Sequence, residues 1–573
     1  MPSALLHKFL TTPASKTPKS IKIFWFSLSM TFAALYSLLA LRQALSSEYV
    51  VQDDARQHVF WMQRFLEPDL FPNDLIADYF ESVAPAGYVA VYALMATVGI
   101  TPLLLSKLLP LVLDLVATVY CFGVSMQLFP VPFAGFLATL LLNQSLWMQD
   151  GLISATPKAF VYPLFMAFLY YFLKRALLAV GICILLLGLF YPQCVLIAAA
   201  LTILQLVEWK KWHFRLSQNR HDYLLCAASL CVTFFILLPY ALSTSEFEPT
   251  ITVAEAKTMP EFLPGGRSSF FVKDPWQFWL HGRSGIGLSS SLTPAFMAAG
   301  FLLPVLLRYP SRFPLSNVIS ERIAILPQLL IASLAMFFAA HALLFKLHLP
   351  SRYTQHSFRI VIALSAALAL TLILEALLSL FSGKEKTWFG LFLLFPCSFI
   401  LITYPNFTMK KFPWTYYVSG EEPALYKFFK AQPKDIIIAS LTEEANNLPT
   451  FAHRSILVGR EYAVPYHMGY YKKFRERVFE LLLAQYSTNI SDVQKFAQKY
   501  GVDFWLLEKG AFTPDYIAKN RWLSQYQPAA ASAIANLYRG ILPALADVSQ
   551  KCSVFETGNF FVLTTDCILK NNR

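Results

Sequence analysis

The chain has 573 residues, of which 56% are hydrophobic, 15% aromatic and 14% charged, and its mean hydropathy is +0.49. A water-soluble fold cannot hide that much apolar surface in one core, so the composition describes a polytopic α-helical membrane protein. The formal net charge of +12 is gathered in short stretches between apolar runs, which argues against a nucleic-acid surface and reports orientation instead.

His7, Lys8, Lys16, Lys19 and Lys22 precede the first apolar run, 23–41, and put the N-terminus in the cytoplasm. That run is too long for a cleavable signal peptide, and no clear small-residue cleavage site follows it. The stretch 50–88 breaks the apolar pattern. Asp53, Asp54, Asp69, Asp74 and Asp78 gather there with Glu67 and Glu81. After the Asp pair, Val59, Met62 and Phe65 recur at helical spacing beside Trp61 and Leu66, which predicts a short helix lying on the membrane surface. Two roles compete for the pair. One is helix capping, which needs a side-chain oxygen facing free backbone N–H groups. The other is a catalytic carboxylate held at the bilayer surface.

Further spans are expected at 103–128, 131–147, 158–173, 176–190, 192–208, 223–240, 292–308, 323–340, 358–381 and 388–404, about eleven in all with the first. The basic stretches 174–175, 210–215, 308–322 and 384–386 all fall on the cytoplasmic side if 86–100 does not cross the bilayer. The chain then divides into a transmembrane domain, 1–404, with an acidic outer loop at 45–102, and an extracytoplasmic soluble domain, 405–573. A second outer loop, 241–291, reads as an ordered binding loop or a plain connector. In the tail, 435–440, 455–459 and 502–508 read as strands, with helices at 474–486 and 491–501 between them, hence an α/β domain.

Six of the eight cysteines lie in or beside spans and read as packing residues. Cys552 and Cys567 bracket a hairpin-like stretch in the exported tail, where a disulfide is plausible. No metal-spaced cluster, Walker loop or GxGxxG after a strand is visible, so nucleotide chemistry has no seat.

The order of features resembles the C-type (GT-C) membrane glycosyltransferases, and within them the protein mannosyltransferase and lipid A aminoarabinose transferase branch. A cytoplasmic N-terminus and one span lead to an outer loop opened by Asp53-Asp54-Ala55-Arg56, followed by Ala84-Pro85-Ala86-Gly87-Tyr88. These stand at the positions of that branch's motif like Asp-Glu-x-Arg and its later Pro-Pro-hydrophobic-Tyr element, and Ser82-Val83 stand where a basic residue is common. The segment 103–175 resembles the family's next three spans, and the likeness covers roughly the first 200 residues.

The resemblance implies transfer of a sugar, hexose or pentose, from a polyprenyl-phosphate carrier to a glycan, lipid or protein acceptor on the exported face, most simply of a bacterial plasma membrane. Asp53 is then the general base, and Asp54 a helper or the ligand of a divalent cation if one is used. Arg56 is a phosphate contact, and Tyr88 belongs to the substrate-binding set. Asp150 and Lys158, flanking an outer turn, and Arg352 and Tyr353, at the outer mouth of the 358–381 run, complete that set. Their plain readings are an exposed loop and interfacial anchoring. Asp114 inside a span is a functional carboxylate or an interhelical hydrogen-bond partner, and Glu375 snorkels to the cytoplasmic face. A transporter or lipid flippase is the alternative, but it calls for repeated halves and paired intramembrane charges, whereas the charges here gather in an outer loop.

Overall fold

The computed structural model describes residues 2–210, 213–242, 245–380 and 386–570. The expected basic stretches 210–215 and 384–386 therefore lie partly outside the described residues. Among the described residues, five helices are long and apolar enough to cross a membrane: Lys19–Ala44, Pro102–Leu128, Arg220–Leu242, Glu321–Ala342 and Pro350–Leu380. Shorter apolar helices occupy Pro157–Leu173, Leu177–Phe190, Pro192–Leu204 and Ala295–Leu306. This is a membrane helical protein.

The first long helix shows why the bundle forms. Trp25, Ser29, Ala33, Tyr36, Ala40 and Ala44 recur every three to four residues and are buried, packed against Pro102–Leu128 and Pro132–Trp147. The opposite side exposes Ile23, Phe24, Leu35 and Leu38, side chains that water would penalise and lipid accepts. Asp114 fastens the three helices. Its Oδ2 accepts from Trp147 Nε1 at 2.8 Å and from Ser37 Oγ at 3.1 Å, so it serves as an interhelical hydrogen-bond partner. The helix Ala86–Thr97 has 12 residues, about 18 Å of rise against a hydrocarbon core of about 30 Å. It packs against Leu177–Phe190 where Gly87 lets the backbones meet, since a Cβ there would stand 2.8 Å from Leu189.

Three expectations are corrected. The predicted surface helix is an α-helix, Asp53–Val59, continued by a tighter turn, Phe60–Phe65. Its apolar residues Val59, Trp61 and Met62 are buried, and it packs against Leu75–Ser82, Ala86–Thr97 and Pro102–Leu128, so protein rather than lipid covers it. The run 192–208 stops at Leu204, because Val207–Lys210 pairs antiparallel with His213–Leu216. Glu375 does not reach water. It is buried, 7% exposed.

Beyond the last apolar helix, Lys386–Thr408, the chain returns to the acidic loop. Tyr417–Ser419 pairs antiparallel with Val50–Gln52, and the amide of Asp53 donates to the carbonyl of Tyr416 at 3.1 Å. A five-stranded sheet follows. Ser455–Ile456, Ile437–Ala439 and Phe504–Glu508 run parallel, and Phe560–Thr564 and Ser553–Glu556 extend the sheet antiparallel. Ile438, Trp505, Leu506 and Leu507 are all buried, as parallel strands covered on both faces require. The helices Met468–Gln485 and Ile490–Tyr500 flank it, and Gly501 ends the second in the left-handed region. Cys552 and Cys567 form a disulfide.

Candidate active site

Gln52, not an aspartate, caps the helix that carries the acidic pair. Its side chain accepts from the amide of Ala55 at 3.1 Å, which corrects the capping reading of Asp53 and Asp54. Both carboxylates stand in the first helical turn, where the helix dipole favours negative charge.

Their surroundings divide their chemistry. Asp54 forms an ion pair with Lys158, whose ammonium also bonds Asp150 Oδ2 at 3.0 Å. Burial alone would push the Asp54 carboxyl up, but the charge and hydrogen bond of Lys158 hold it down at about 2. Asp54 is a permanent anion at neutral pH. The Asp53 carboxyl is instead raised above the ordinary range, by burial first and then by the negative charge of Glu461, against the opposing pull of Arg56. His58, one turn beyond Asp54, is pushed down to about 4 by burial and is neutral at physiological pH.

Lys158 reaches Asp54 because the turn after Pro132–Trp147 is rigid. Ser154 Oγ and Thr156 Oγ1 share a hydrogen bond of 2.8 Å, and Tyr92 Oη donates to the carbonyl of Ala155 at 3.0 Å. Beneath it, fully buried Arg359 bonds Tyr162 and Gln149. Arg352 stands near enough to Asp54 and Asp150 for its charge to act on both, and no hydrogen bond or ion pair with another described residue engages its guanidinium. A cavity of about 490 Å³ opens beside Asp150, lined by Gln149, Ser289, Ser290, Trp414 and Tyr416. A larger one, of about 580 Å³, lies in the C-terminal region between Glu480 and Asn536 and carries none of these groups.

The fold thus brings together Asp53, Asp54, Asp150, Lys158 and Arg352 from three separate stretches of chain. It does not bring in Arg56, Tyr88 or Tyr353 as open contacts. Arg56 donates to Asp53 Oδ1 and Asn447 Oδ1, each at 2.7 Å, with 8% of its side chain exposed. Tyr88 is buried against Tyr92 and Phe160, and Tyr353 is buried with its hydroxyl on the carbonyl of Leu347. These three build the walls. Sequence reading missed Gln52, His58, Gln149, Arg267, Asn447 and Glu461. His58 could have been found at i+4 from Asp54. Glu461, which pairs with Arg267 at 2.7 Å, gave no local signal.

A divalent cation fits this set poorly. Asp54 and Asp150 are the carboxylates one would bridge, and the Lys158 ammonium lies between them. Among the described residues, no group of three or more His, Cys, Asp or Glu side chains is placed to hold a metal ion.

No protein-family model and no curated protein matches the sequence. Solved structures do match. The oligosaccharyltransferase of Archaeoglobus fulgidus in complex with an inhibitory peptide and a dolichol-phosphate superposes with a TM-score of 0.52 at 12% identity, over 89% of this chain and 72% of that one. The fold is similar to that of this archaeal membrane enzyme. The same archaeal enzyme in its apo form superposes at 0.49 and 13% identity, over 88% and 72%. At 12% identity the likeness to the peptide-bound form shows a shared fold and leaves the chemistry to the residues described above.

Proposed function

We propose that this chain is a glycosyltransferase that moves a sugar from a polyprenyl-phosphate donor to an acceptor on the exported face of the membrane, with Asp53 as general base. The observation that supports it best is the divergent pair in the outer loop. One aspartate is locked as an anion by Lys158, and its neighbour, with a raised pKa and 40% of its side chain exposed, is left to accept a proton. Efficient bases have pKa values moved toward the working pH, and environments that push two carboxylates apart mark such a division of labour.

In the reaction, the acceptor hydroxyl attacks the anomeric carbon as Asp53 takes its proton. The bond from that carbon to the phosphate oxygen breaks, and the lipid phosphate leaves with its electron pair. Arg352, unpaired among the described residues and beside the carboxylates, stabilises that anion better than a lysine could, because a guanidinium meets phosphate bidentately. The cavity beside Asp150 receives the sugar or the acceptor. A lipid donor is supported by the GT-C fold and by the dolichol-phosphate bound to the archaeal neighbour, whose inhibitory peptide makes a peptide acceptor a candidate. The orientation that goes with this reading has a cytoplasmic N-terminus, a transmembrane domain to residue 404 and an extracytoplasmic domain at 405–573, in a bacterial plasma membrane.

The test is incubation of membranes containing the protein with radiolabelled polyprenyl-phosphate sugars. Label moving into glycan, lipid or peptide supports the reading. Movement of the intact donor across the bilayer without transfer replaces it with a flippase.

A further inference from the structure

We infer that Lys158 is the resident cation of this site, holding the place between Asp54 and Asp150 that a divalent metal ion would need and meeting the donor phosphate there. The part concerning the donor rests on the proposed function, while the part concerning the cation stands on geometry alone.

Three observations carry it. The Lys158 ammonium contacts one carboxylate oxygen from the outer-loop helix and one from the turn after Pro132–Trp147, so it bridges two elements as a metal ion would. Its side chain is only 15% exposed, and the rigid turn leaves its backbone little freedom to carry the charge away. The charges also balance. Lys158 and Arg352 carry two positive charges against the two negative charges of Asp54 and Asp150, the charge that one divalent cation would supply.

Geometry makes the two alternatives exclusive. Mg²⁺ and similar ions demand oxygen ligands at about 2.1 Å, whereas an ammonium sits roughly 2.8 Å from each oxygen. Both cannot occupy one gap, and like charges at that spacing repel strongly in a partly buried site. The third donor of the ammonium is not engaged by either carboxylate and is available to a phosphate oxygen. Lys158 would thus touch the donor directly and be a catalytic residue.

The test uses the purified full chain in detergent, stripped with EDTA and titrated with Mn²⁺ at neutral pH, with bound ion read by electron paramagnetic resonance. Wild type should show no Mn²⁺ site that Asp54→Asn removes. Lys158→Ala should gain one, at least tenfold tighter than any wild-type binding, and Lys158→Ala combined with Asp150→Asn should lose it again. A wild-type site abolished by Asp54→Asn, or a folded Lys158→Ala that gains none, overturns the assignment. If Lys158→Ala does not fold, Lys158→Ser serves the same arms. In the transfer assay, EDTA-treated wild type should keep its rate, and Mn²⁺ should raise that of Lys158→Ala at least tenfold. Absence of transfer in every arm sinks the proposed function and leaves the Mn²⁺ titration to decide on Lys158.

Discussion

Replacing Asp53 by Asn separates chemistry from folding because the structure gives this side chain little structural work. Gln52 holds the cap, so the substitution removes no capping bond. The ion pair with Arg56 is 2.7 Å long, but 40% of the Asp53 side chain is exposed, and a pair so open to solvent is worth about 0–1 kcal/mol. Asn keeps an oxygen for the guanidinium and loses a dipole term of about 0.3–1 kcal/mol. Stability should therefore fall by no more than about 1 kcal/mol. Transfer should fall by a factor on the order of 10²–10⁴, the usual worth of a positioned base.

The pH dependence follows from the directions of the two shifts. Asp53 has a raised pKa, so the acid limb of the rate profile should lie above the ordinary carboxylate value of roughly 3.9, and Asp53→Asn should abolish that limb. For stability the signs oppose. The contribution of Asp53 is fully present below the unfolded pKa and is lost as pH rises through its folded pKa. That of Asp54, held at about 2, is present above the unfolded pKa and is lost as pH falls from roughly 4 to 2. More than a third of the Asp54 side chain meets solvent, so its share is discounted to about 1 kcal/mol. Radiolabel transfer across a pH series, with thermal unfolding in parallel, reads both effects. A folded Asp53→Asn protein with near-normal transfer and an unchanged acid limb would refute the assignment of the base.

Arg352→Ala should weaken donor use by roughly 10–100-fold, the worth of a charge-assisted hydrogen bond, with the loss in kcat as well as kcat/KM because the anion forms as the bond breaks, and Arg352→Lys should recover part of it. Equal rates for all three proteins would remove Arg352 from the donor site. A cysteine introduced at Gln432 should be labelled from outside intact cells and one at Gln218 should not, and the reverse pattern inverts the topology. Cys552→Ala should destabilise the C-terminal region by about 3 kcal/mol through the lost loop closure, seen as an earlier unfolding transition, and an unshifted transition would show that the disulfide constrains nothing.

Much of the site was legible because charge is scarce in this chain. Asp53 and Asp54 open the acidic loop, Asp150, Lys158 and Arg352 stand beside apolar runs, and a carboxylate or cation there is expensive unless it has a partner or a task. Sequence could not say which partner. Tyr88 and Tyr353 sit in motif-like positions as plainly as Lys158 does, yet their side chains turn inward to fill the wall. That choice is made by packing with Phe160 and the carbonyl of Leu347, which no local pattern encodes. Helix positions were readable from hydrophobic runs, whereas ends such as Leu204 depended on the hairpin after it.

The hardest part to read is the part that joins the two regions of the chain. Arg56 lies three residues from Asp53 and 391 from Asn447, and it bonds both. Glu461, which stands 3.8 Å from Arg56, adds negative charge that raises the pKa of Asp53. Gln57 also donates to the carbonyl of Glu461, and Tyr79 and His467 share a hydrogen bond of 3.0 Å. The α/β region therefore does more than follow the bundle in sequence. It supplies the electrostatic setting in which one aspartate of the pair becomes basic. Burial raises the proton affinity of Asp53 first and a charge on a C-terminal loop, Glu461, raises it further, so the site is complete only when both regions are folded against each other.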